Sequence, residues 1–502
     1  MNLLINLSSP LGLSLALLPE IVLCFAGLVT LLVAAWRNRT VADIRLVGWL
    51  SALGVVAAAV PLAWLWIGQA RPSTIAVTVA LDEFRFAAMA LILVATLGTI
   101  LLSIYYLERE ELLWPEYFPL VLFAAAGMLW LAGGDDMMVL FLGLEVMSVA
   151  VYVLAGYARG NLLSGEAALK YFLIGAFASA FLLYGIALTY GATGTTSMTV
   201  AGAALGRGPL PLMATLGLGL FLIGFGFKVA AAPFHMWTPD VYEGAPTPVT
   251  GFMATGVKVA AFAALARVLF VMYGASPQTW VPVISGLAVA SMIVGNLIAL
   301  NQRSLKRMLA YSSVAHAGYL LAALVAGSSN GAAATLTYLT AYALTSLAAF
   351  GLLAALGRNG ERDVTLDSIA GLATRRPWVA TGLAITMLSL LGFPGTFGFI
   401  GKWQILLSLL GQDHPIVAVV LVLTSLVSAG YYLPVIMSAY MRTPAAEPAG
   451  SPLPAAARLT VAVACVLVVV LGLWPSPALD ASLSSATSLL HSSLAGVRAG
   501  AP

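Results

Sequence analysis

Apolar stretches of about 20 residues, the length a helix needs to cross a hydrocarbon core, recur along this chain from Leu13 to Trp474. None shows the strict alternation of membrane-barrel strands, so the predicted fold class is an all-α polytopic membrane protein. Charge content agrees: 9% of residues are Asp, Glu, Lys or Arg, far below the roughly 25% of ordinary soluble domains. The opening segment "MNLLINLSSPLG" lacks the basic region of a cleaved signal peptide, and the first apolar run is expected to be a retained helix. Cys24 and Cys465 both fall inside predicted helices and no C-x-x-C pair occurs, which argues against iron–sulfur ligation or a disulfide framework.

Gly, Pro and charged residues divide the apolar sequence into about fourteen spans. Alternating the connections between two sides puts fourteen of the 23 Lys and Arg residues on one face, including Arg37, Arg39, Arg45, Arg159, Arg303, Lys306, Arg307, Arg358, Arg362 and Arg375. The other face receives Arg71, Arg85, Arg207 and Arg498. The positive-inside rule then places the basic loops in the cytoplasm and both termini outside, on the periplasmic side of the cell inner (plasma) membrane. The acidic run "ERE" and Glu111 read as a solvated loop.

Five basic residues remain within spans: Lys170, Lys228, Lys258, Arg267 and Lys402. A lysine at mid-bilayer costs about 2.5 to 3.5 kcal/mol on insertion scales, and such residues face a protein interior or a water-filled cavity. Lys228 and Lys258 fall near the middle of the seventh (212 to 235) and eighth (248 to 272) spans. Glu145 lies mid-way in the fifth (136 to 157) and His316 in the tenth (305 to 326). Lys402 follows "LLGFPGTFGFIG" in the twelfth (378 to 410). Groups at one depth on different helices can form a line parallel to the membrane.

Two of these helices are expected to be broken. Pro394, between Gly392 and Gly395, removes a backbone donor from the twelfth, and Gly224, Gly226 and Pro233 surround Lys228 in the seventh. Irregular backbone at this depth is tolerated only where protein or a cavity surrounds it, and paired broken helices mark transporter sites. Glu145 to Lys228 and His316 to Lys402 have similar separations in sequence. This suggests two inverted five-span units, 117–272 and 280–441, between an N-terminal part, 1–116, and a C-terminal part, 442–502.

For Lys228, the chemistry expected is proton carriage by an amine weakened by desolvation and restored by Glu145; a structural ion pair with Glu145 is the plainer alternative. Lys258 and Lys402 have no acidic partner at their depth, which weakens a purely structural role. Lys170 can simply pair with Glu166 one helical turn away. His316 can be a satisfied interior histidine, yet imidazole is the side chain best suited to relay protons near neutral pH. His235 can serve to anchor a loop, and Arg303, Lys306 and Arg307 to fix topology. "GLGLFLIG" has no preceding strand and is not a dinucleotide fingerprint. No cofactor motif is visible, so coupled redox chemistry must occur in other chains.

The segments "GFGFKVAAAPFHMWTPDVYEGAPTPV", "LFLGLEVMS", "SGEAALKYFLIGAFASAFLLYG", "NQRSLKRMLAYSSVAHAGYLL" and "LSLLGFPGTFGFIGKW" closely resemble the antiporter-like subunit N of bacterial respiratory complex I, the proton-pumping NADH:quinone oxidoreductase. The resemblance covers almost the whole chain. It implies fourteen transmembrane helices with two inverted five-helix repeats and one proton channel. It also implies Glu145 and Lys228 as the pair in the first half-channel, Lys258 and His316 on a central line, and Lys402 as the terminal group, with Lys170 and His235 near the proton path. No cofactor is expected in this chain; NADH, FMN, iron–sulfur clusters and quinone would reside in partner subunits. Expected partners are the lipid bilayer and the other membrane subunits, antiporter-like M and L and small K and J, with no nucleic acid. Lys402 stands where subunit M typically carries glutamate, and the tail after Pro475 is too short for the long lateral helix of subunit L. Subunits of multi-subunit Na+/H+ antiporters and of membrane-bound hydrogenases are the alternatives in the same fold. A non-transporting scaffold is the alternative outside it, and it has no need of midplane lysines.

Overall fold

The computed structural model describes residues 3–37, 40–72, 78–327, 329–357, 364–443 and 453–499. Arg39, Arg358, Arg362 and most of the "RTPAAEPAGSPLPAAAR" loop lie outside them. A short strand pair, β1 (Leu4–Ile5) with β2 (Arg71–Pro72), runs parallel at one end of the N-terminal helices. Those are α1 (Pro10–Ala16), α2 (Leu18–Trp36), α3 (Val41–Ile67) and α4 (Glu83–Arg109). Then come α5 (Tyr117–Gly133), α6 (Met137–Ala155), α7 (Leu162–Thr193), α8 (Met198–Leu205), α9 (Leu212–Val229), α10 (Thr238–Gly244), α11 (Thr247–Phe252) and α12 (Lys258–Arg267). The second half holds α13 (Pro277–Ala299), α14 (Leu305–Val325), α15 (Ser329–Leu356), α16 (Leu372–Arg375), α17 (Pro377–Leu391), α18 (Phe397–Gly411) and α19 (Pro415–Met441), followed by α20 (Ala455–Leu473) and α21 (Ser476–Ala499).

Among the described residues twelve helical segments are long and apolar enough to cross a membrane, and Tyr117–Gly133, Pro377–Leu391 and Phe397–Gly411 are shorter apolar helices. Burial sorts them. The stretch Thr247–Met272, in which two π-helical turns (Met253–Val257 and Val268–Met272) flank α12, is wholly enclosed, and α14 and α15 nearly so. The outer helices α2, α13 and α20 bury only about a third of their residues. Leucine and phenylalanine facing outward on such helices are at home in lipid, where burial of apolar surface no longer selects the inside. The core is therefore marked by what lipid rejects, and Lys258 and His316 lie on these central helices.

Both expected breaks are present. After α9 the chain turns at Ala230, which has a left-handed φ of 61°, and is non-helical until α10 begins at Thr238. After α17 it turns at Gly392, φ 87°, and resumes as α18 at Phe397.

A set of contacts recurs at a constant offset of 168 residues. Asp136, the side-chain cap of α6, bridges Ser197, and Ser304, the cap of α14, bridges Thr365. The Met137 amide donates to the Thr196 carbonyl and the Leu305 amide to the Val364 carbonyl, both at 2.8 Å. At Gly127 an added Cβ would sit 2.4 Å from the Met147 nitrogen, and at Gly295 2.5 Å from the Ala315 nitrogen. Helices α5 and α6 thus approach backbone to backbone as α13 and α14 do, and only glycine permits it at these points. In this register His316 is the counterpart of Ser148, and Ser313 that of Glu145. The pairing of Glu145 with His316 drawn from charge spacing is off by one helical turn.

Other expectations are corrected by burial. Arg85, assigned to an outer loop, is fully buried, with Nη2 donating to Glu20 at 2.7 Å. The "ERE" run is not simply solvated: Glu108 pairs with Arg45, and Arg109 is nearly buried against Glu110 and the Ala354 carbonyl. The serine-rich tail forms α21, which packs on α4, α8 and α15; its Ser488 hydroxyl accepts from the Glu83 amide, a free donor at the start of α4.

Candidate functional site

Lys228 occupies the last turn of α9, 2% exposed. Its Nζ donates to Ser148 Oγ at 2.7 Å and Tyr152 Oη at 3.2 Å, and lies 5.1 and 5.3 Å from the centres of the Tyr152 and Tyr171 rings. Ring faces stabilise such a desolvated cation by about 2 kcal/mol. Glu145 sits one turn before Ser148 on α6, so both present to the same face. It forms no ion pair with Lys228; its Oε1 is buried without a hydrogen-bond partner among the described residues. The structural ion pair considered for this lysine is absent from this geometry, and the amine rests on two hydroxyls instead.

Lys258 opens α12 where the π-helical turn ends. Its Nζ donates to the Ser313 carbonyl on α14 and lies 5.3 Å from the Tyr342 ring. Lys402, on α18, donates to the Leu391 carbonyl at 2.9 Å, the acceptor left open where α17 stops, and lies 4.6 Å from the Tyr319 ring. Neither has a carboxylate partner among the described residues. His316, also 2% exposed, has both ring nitrogens occupied: Tyr338 Oη lies 2.6 Å from Nδ1 and Tyr432 Oη 3.0 Å from Nε2.

Lys170 is elsewhere. It is partly exposed and ion-paired to Glu166 at 2.6 Å and Asp240 at 2.7 Å, in a chain that continues from Asp240 to Arg307 (2.9 Å) and from Arg307 to Glu243 (2.7 Å). Burial works against the Asp240 charge, but Lys170 and Arg307 together hold its carboxyl below the usual range. This network joins α7 and α10 to α14. Arg307 and Lys306, whose Nζ donates to the Ala245 carbonyl at 2.6 Å, therefore fasten the two halves in addition to any part in topology. His235 is half-buried in the gap between α9 and α10.

A second charged cluster was not foreseen. Arg267 Nη1 and Nη2 grip both oxygens of Asp82 at 2.7 and 3.0 Å, with both side chains buried. Burial opposes the Asp82 charge, yet Arg267 keeps its carboxyl low. Asp135, close by, receives only hydroxyls, from Thr199 at 2.8 Å and Ser197 at 3.4 Å. Burial pushes its carboxyl up to about 7, Asp82 adding to the shift while Arg267 and Thr199 oppose it. Nothing in the sequence links Asp82 to Arg267, 185 positions away. Ser148 was within reach, since it follows Glu145 by three residues on one helix face.

Among the described residues no three His, Cys, Asp or Glu side chains converge as metal ligands would.

Residues 134–428 match the family described as NADH:quinone oxidoreductase/Mrp antiporter, TM. A protein of Roseiflexus castenholzii, NADH-quinone oxidoreductase subunit N 2, is 43% identical over 455 residues, which cover 88% of this chain and 90% of that one. A chain in the structure of respiratory complex I from Thermus thermophilus with bound aureothin is 37% identical, with a TM-score of 0.79 over 93% of this chain and 100% of that one. A chain of the Mrp complex from Dietzia sp. DQ12-45-1b shares the fold at 21% identity, with a TM-score of 0.83 over 97% and 99% of the two chains.

Proposed function

Because this chain belongs to the NADH:quinone oxidoreductase/Mrp antiporter family, we propose that its buried lysines carry protons through the membrane. The chain is an antiporter-like membrane subunit of NADH-quinone oxidoreductase, part of a proton-translocating enzyme complex. Glu145 and Lys228 act as the interacting pair of the first half-channel, Lys258 and His316 conduct along the midplane, and Lys402 ends the second half-channel. Lys170 and His235 lie near the path of uptake.

The observation that carries this reading is how the three ammonium groups are held. Lys228, Lys258 and Lys402 rest on a hydroxyl, backbone carbonyls and ring faces, not on carboxylates. A buried amine paired to an acid holds its proton tightly, whereas one supported by neutral acceptors can release it. Moving a proton against 100 mV requires about 2.3 kcal/mol, less than two pKa units at ~1.36 kcal/mol each. Redox events in partner subunits would alter the charge at one end of the line, and each protonation change would shift its neighbour through a poorly screened interior.

The constant 168-residue offset supports a fold of two inverted units, 117–272 and 280–441, between three helices in 1–116 and a last helix in 442–502. Counting Tyr117–Gly133 and the interrupted pair α17 and α18 with the twelve long segments gives fourteen crossings. In this reading both termini face the outside of the cell inner membrane. The partners are the antiporter-like M and L and small K and J subunits, and NADH, FMN, iron–sulfur clusters and quinone are bound in partner chains.

The test is Glu145→Ala and Lys228→Ala in the assembled complex, scored by NADH-driven acidification of inside-out vesicles. Loss of acidification is expected; pumping equal to the parent in both would refute the assignment.

A further inference from the structure

At the end of α2, away from the lysine line, lies a cavity of about 270 Å³. Leu31, Ala34 and Ala35 line it from the last turns of α2, and residues 113–116, in the connection from α4 to α5, line it from the other side. That connection is tied down. The Trp114 carbonyl accepts from Tyr157 Oη at 2.5 Å, and the Arg159 guanidinium lies over the Trp114 ring, 4.4 Å from its centre.

The cavity sits at the level of lipid headgroups. Helix α2 is apolar and long enough to cross the membrane and buries only a third of its residues. Its Leu28, Leu32 and Trp36 are 54, 60 and 86% exposed, a face suited to acyl chains. Tryptophan gathers where hydrocarbon meets headgroups, and Trp36 and Trp114 mark that level, with Arg37 directly after the helix. The volume falls just under the roughly 300 Å³ at which small-molecule sites begin, so the cavity takes part of a lipid and leaves the rest along α2.

Two opposite charges flank it without neutralising each other. Glu116, partly buried, belongs to the lining, and Arg159 is exposed beyond Trp114. Both act electrostatically on the Tyr157 hydroxyl, in opposite senses, yet neither forms an ion pair among the described residues.

We propose that this cavity binds phosphatidylethanolamine from the bilayer. Its headgroup carries the two charges the rim lacks. The phosphate suits Arg159, whose planar guanidinium can meet two of its oxygens, and the primary ammonium can donate to the Glu116 carboxylate. An anionic headgroup without an amine brings no cation to Glu116. A choline headgroup has a cation but no N–H to donate. The acyl chains lie along the outward leucines of α2, so the lipid joins this N-terminal helix to the connection that starts α5.

The experiment uses the assembled complex in nanodiscs of equal parts phosphatidylethanolamine and phosphatidylglycerol. Lipid that survives mild detergent extraction is counted by mass spectrometry. The parent is expected to retain phosphatidylethanolamine over phosphatidylglycerol. Glu116→Gln and Arg159→Gln should each lower that retention by about threefold or more, the effect of losing a charge-assisted hydrogen bond. Ala35→Leu, which fills the cavity and leaves both charges, should lower it as well and serves if a charge variant does not assemble. Glu111→Gln is the control: it removes an exposed carboxylate of the same connection that does not line the cavity, and should retain lipid as the parent does. A photoreactive benzophenone side chain placed at position 35 shows the occupant directly, and capture of phosphatidylethanolamine is expected. Equal retention in the parent and all variants would overturn the site, as would equal loss in Glu111→Gln. Parental retention of both lipids alike would overturn the choice of headgroup, and capture of a neighbouring subunit at position 35 would show that protein, not lipid, covers the cavity.

Discussion

Lys402 Nζ donates to the Leu391 carbonyl at 2.9 Å, so the ammonium at the end of the line rests on an acceptor set free by the break in its own span. The break is held by Gly392, at φ +87°, where an added Cβ would stand 2.9 Å from Lys402 Cδ. Gly392→Ala therefore combines a left-handed alanine, about 1 to 2 kcal/mol, with a displaced lysine stem. NADH-driven acidification by vesicles containing the assembled variant is expected to fall well below the parent, while the amount of assembled complex changes little.

Ser148→Ala removes the shortest bond to Lys228, at 2.7 Å, and leaves Tyr152 at 3.2 Å. A hydrogen bond to a charged group contributes about 1.5 to 3 kcal/mol, so pumping should drop roughly tenfold or more. Ser148→Thr, which keeps a hydroxyl, should restore most of it. Initial rates of acidification at saturating NADH are the measurement.

Asp82→Asn leaves the Arg267 guanidinium buried without its carboxylate. Breaking a buried pair from one side costs about 3 to 5 kcal/mol, whereas replacing both members by apolar residues is often neutral. The single variant should lower the melting temperature of the purified complex or the amount of chain in the membrane. Asp82→Leu with Arg267→Met should recover most of the loss.

Asp135 gives a pH dependence of defined sign. Its carboxyl is raised from 3.8 to about 7 by burial and Asp82 against the pull of Arg267 and Thr199, so the folded chain binds this proton more tightly than the unfolded one. Its contribution to stability is full below the unfolded value, declines as pH rises towards about 7, and is flat above it. Asp135→Asn should remove that slope and melt higher than the parent at neutral pH, as measured by thermal melting from about pH 5 to about pH 8.

Much of this could be read from the residues. The crossings are written in apolar length, and the breaks at Ala230 and Gly392 lie where Gly and Pro cluster around charge. Lys228, Lys258 and Lys402 stand out because a charge in an apolar run has few structural excuses. What stayed hidden depends on contact. Tyr338 and Tyr432 look like ordinary core aromatics until the fold brings them to the two nitrogens of His316. Charge spacing alone placed Glu145 opposite His316, but the backbone contacts at Gly127 and Gly295 set the register one turn away. The tail after Pro475 carried too little apolar length to be read as a helix, and α21 is recognised only by what it packs on.

The most direct test of the buried-lysine line is Lys402→Ala in inside-out vesicles with assembly verified, comparing NADH oxidation and the resulting pH gradient with the parent. Loss of both is expected, because a line coupled to redox turnover cannot be cut at its end without stalling the whole. Full NADH-driven pumping by the assembled variant would contradict it.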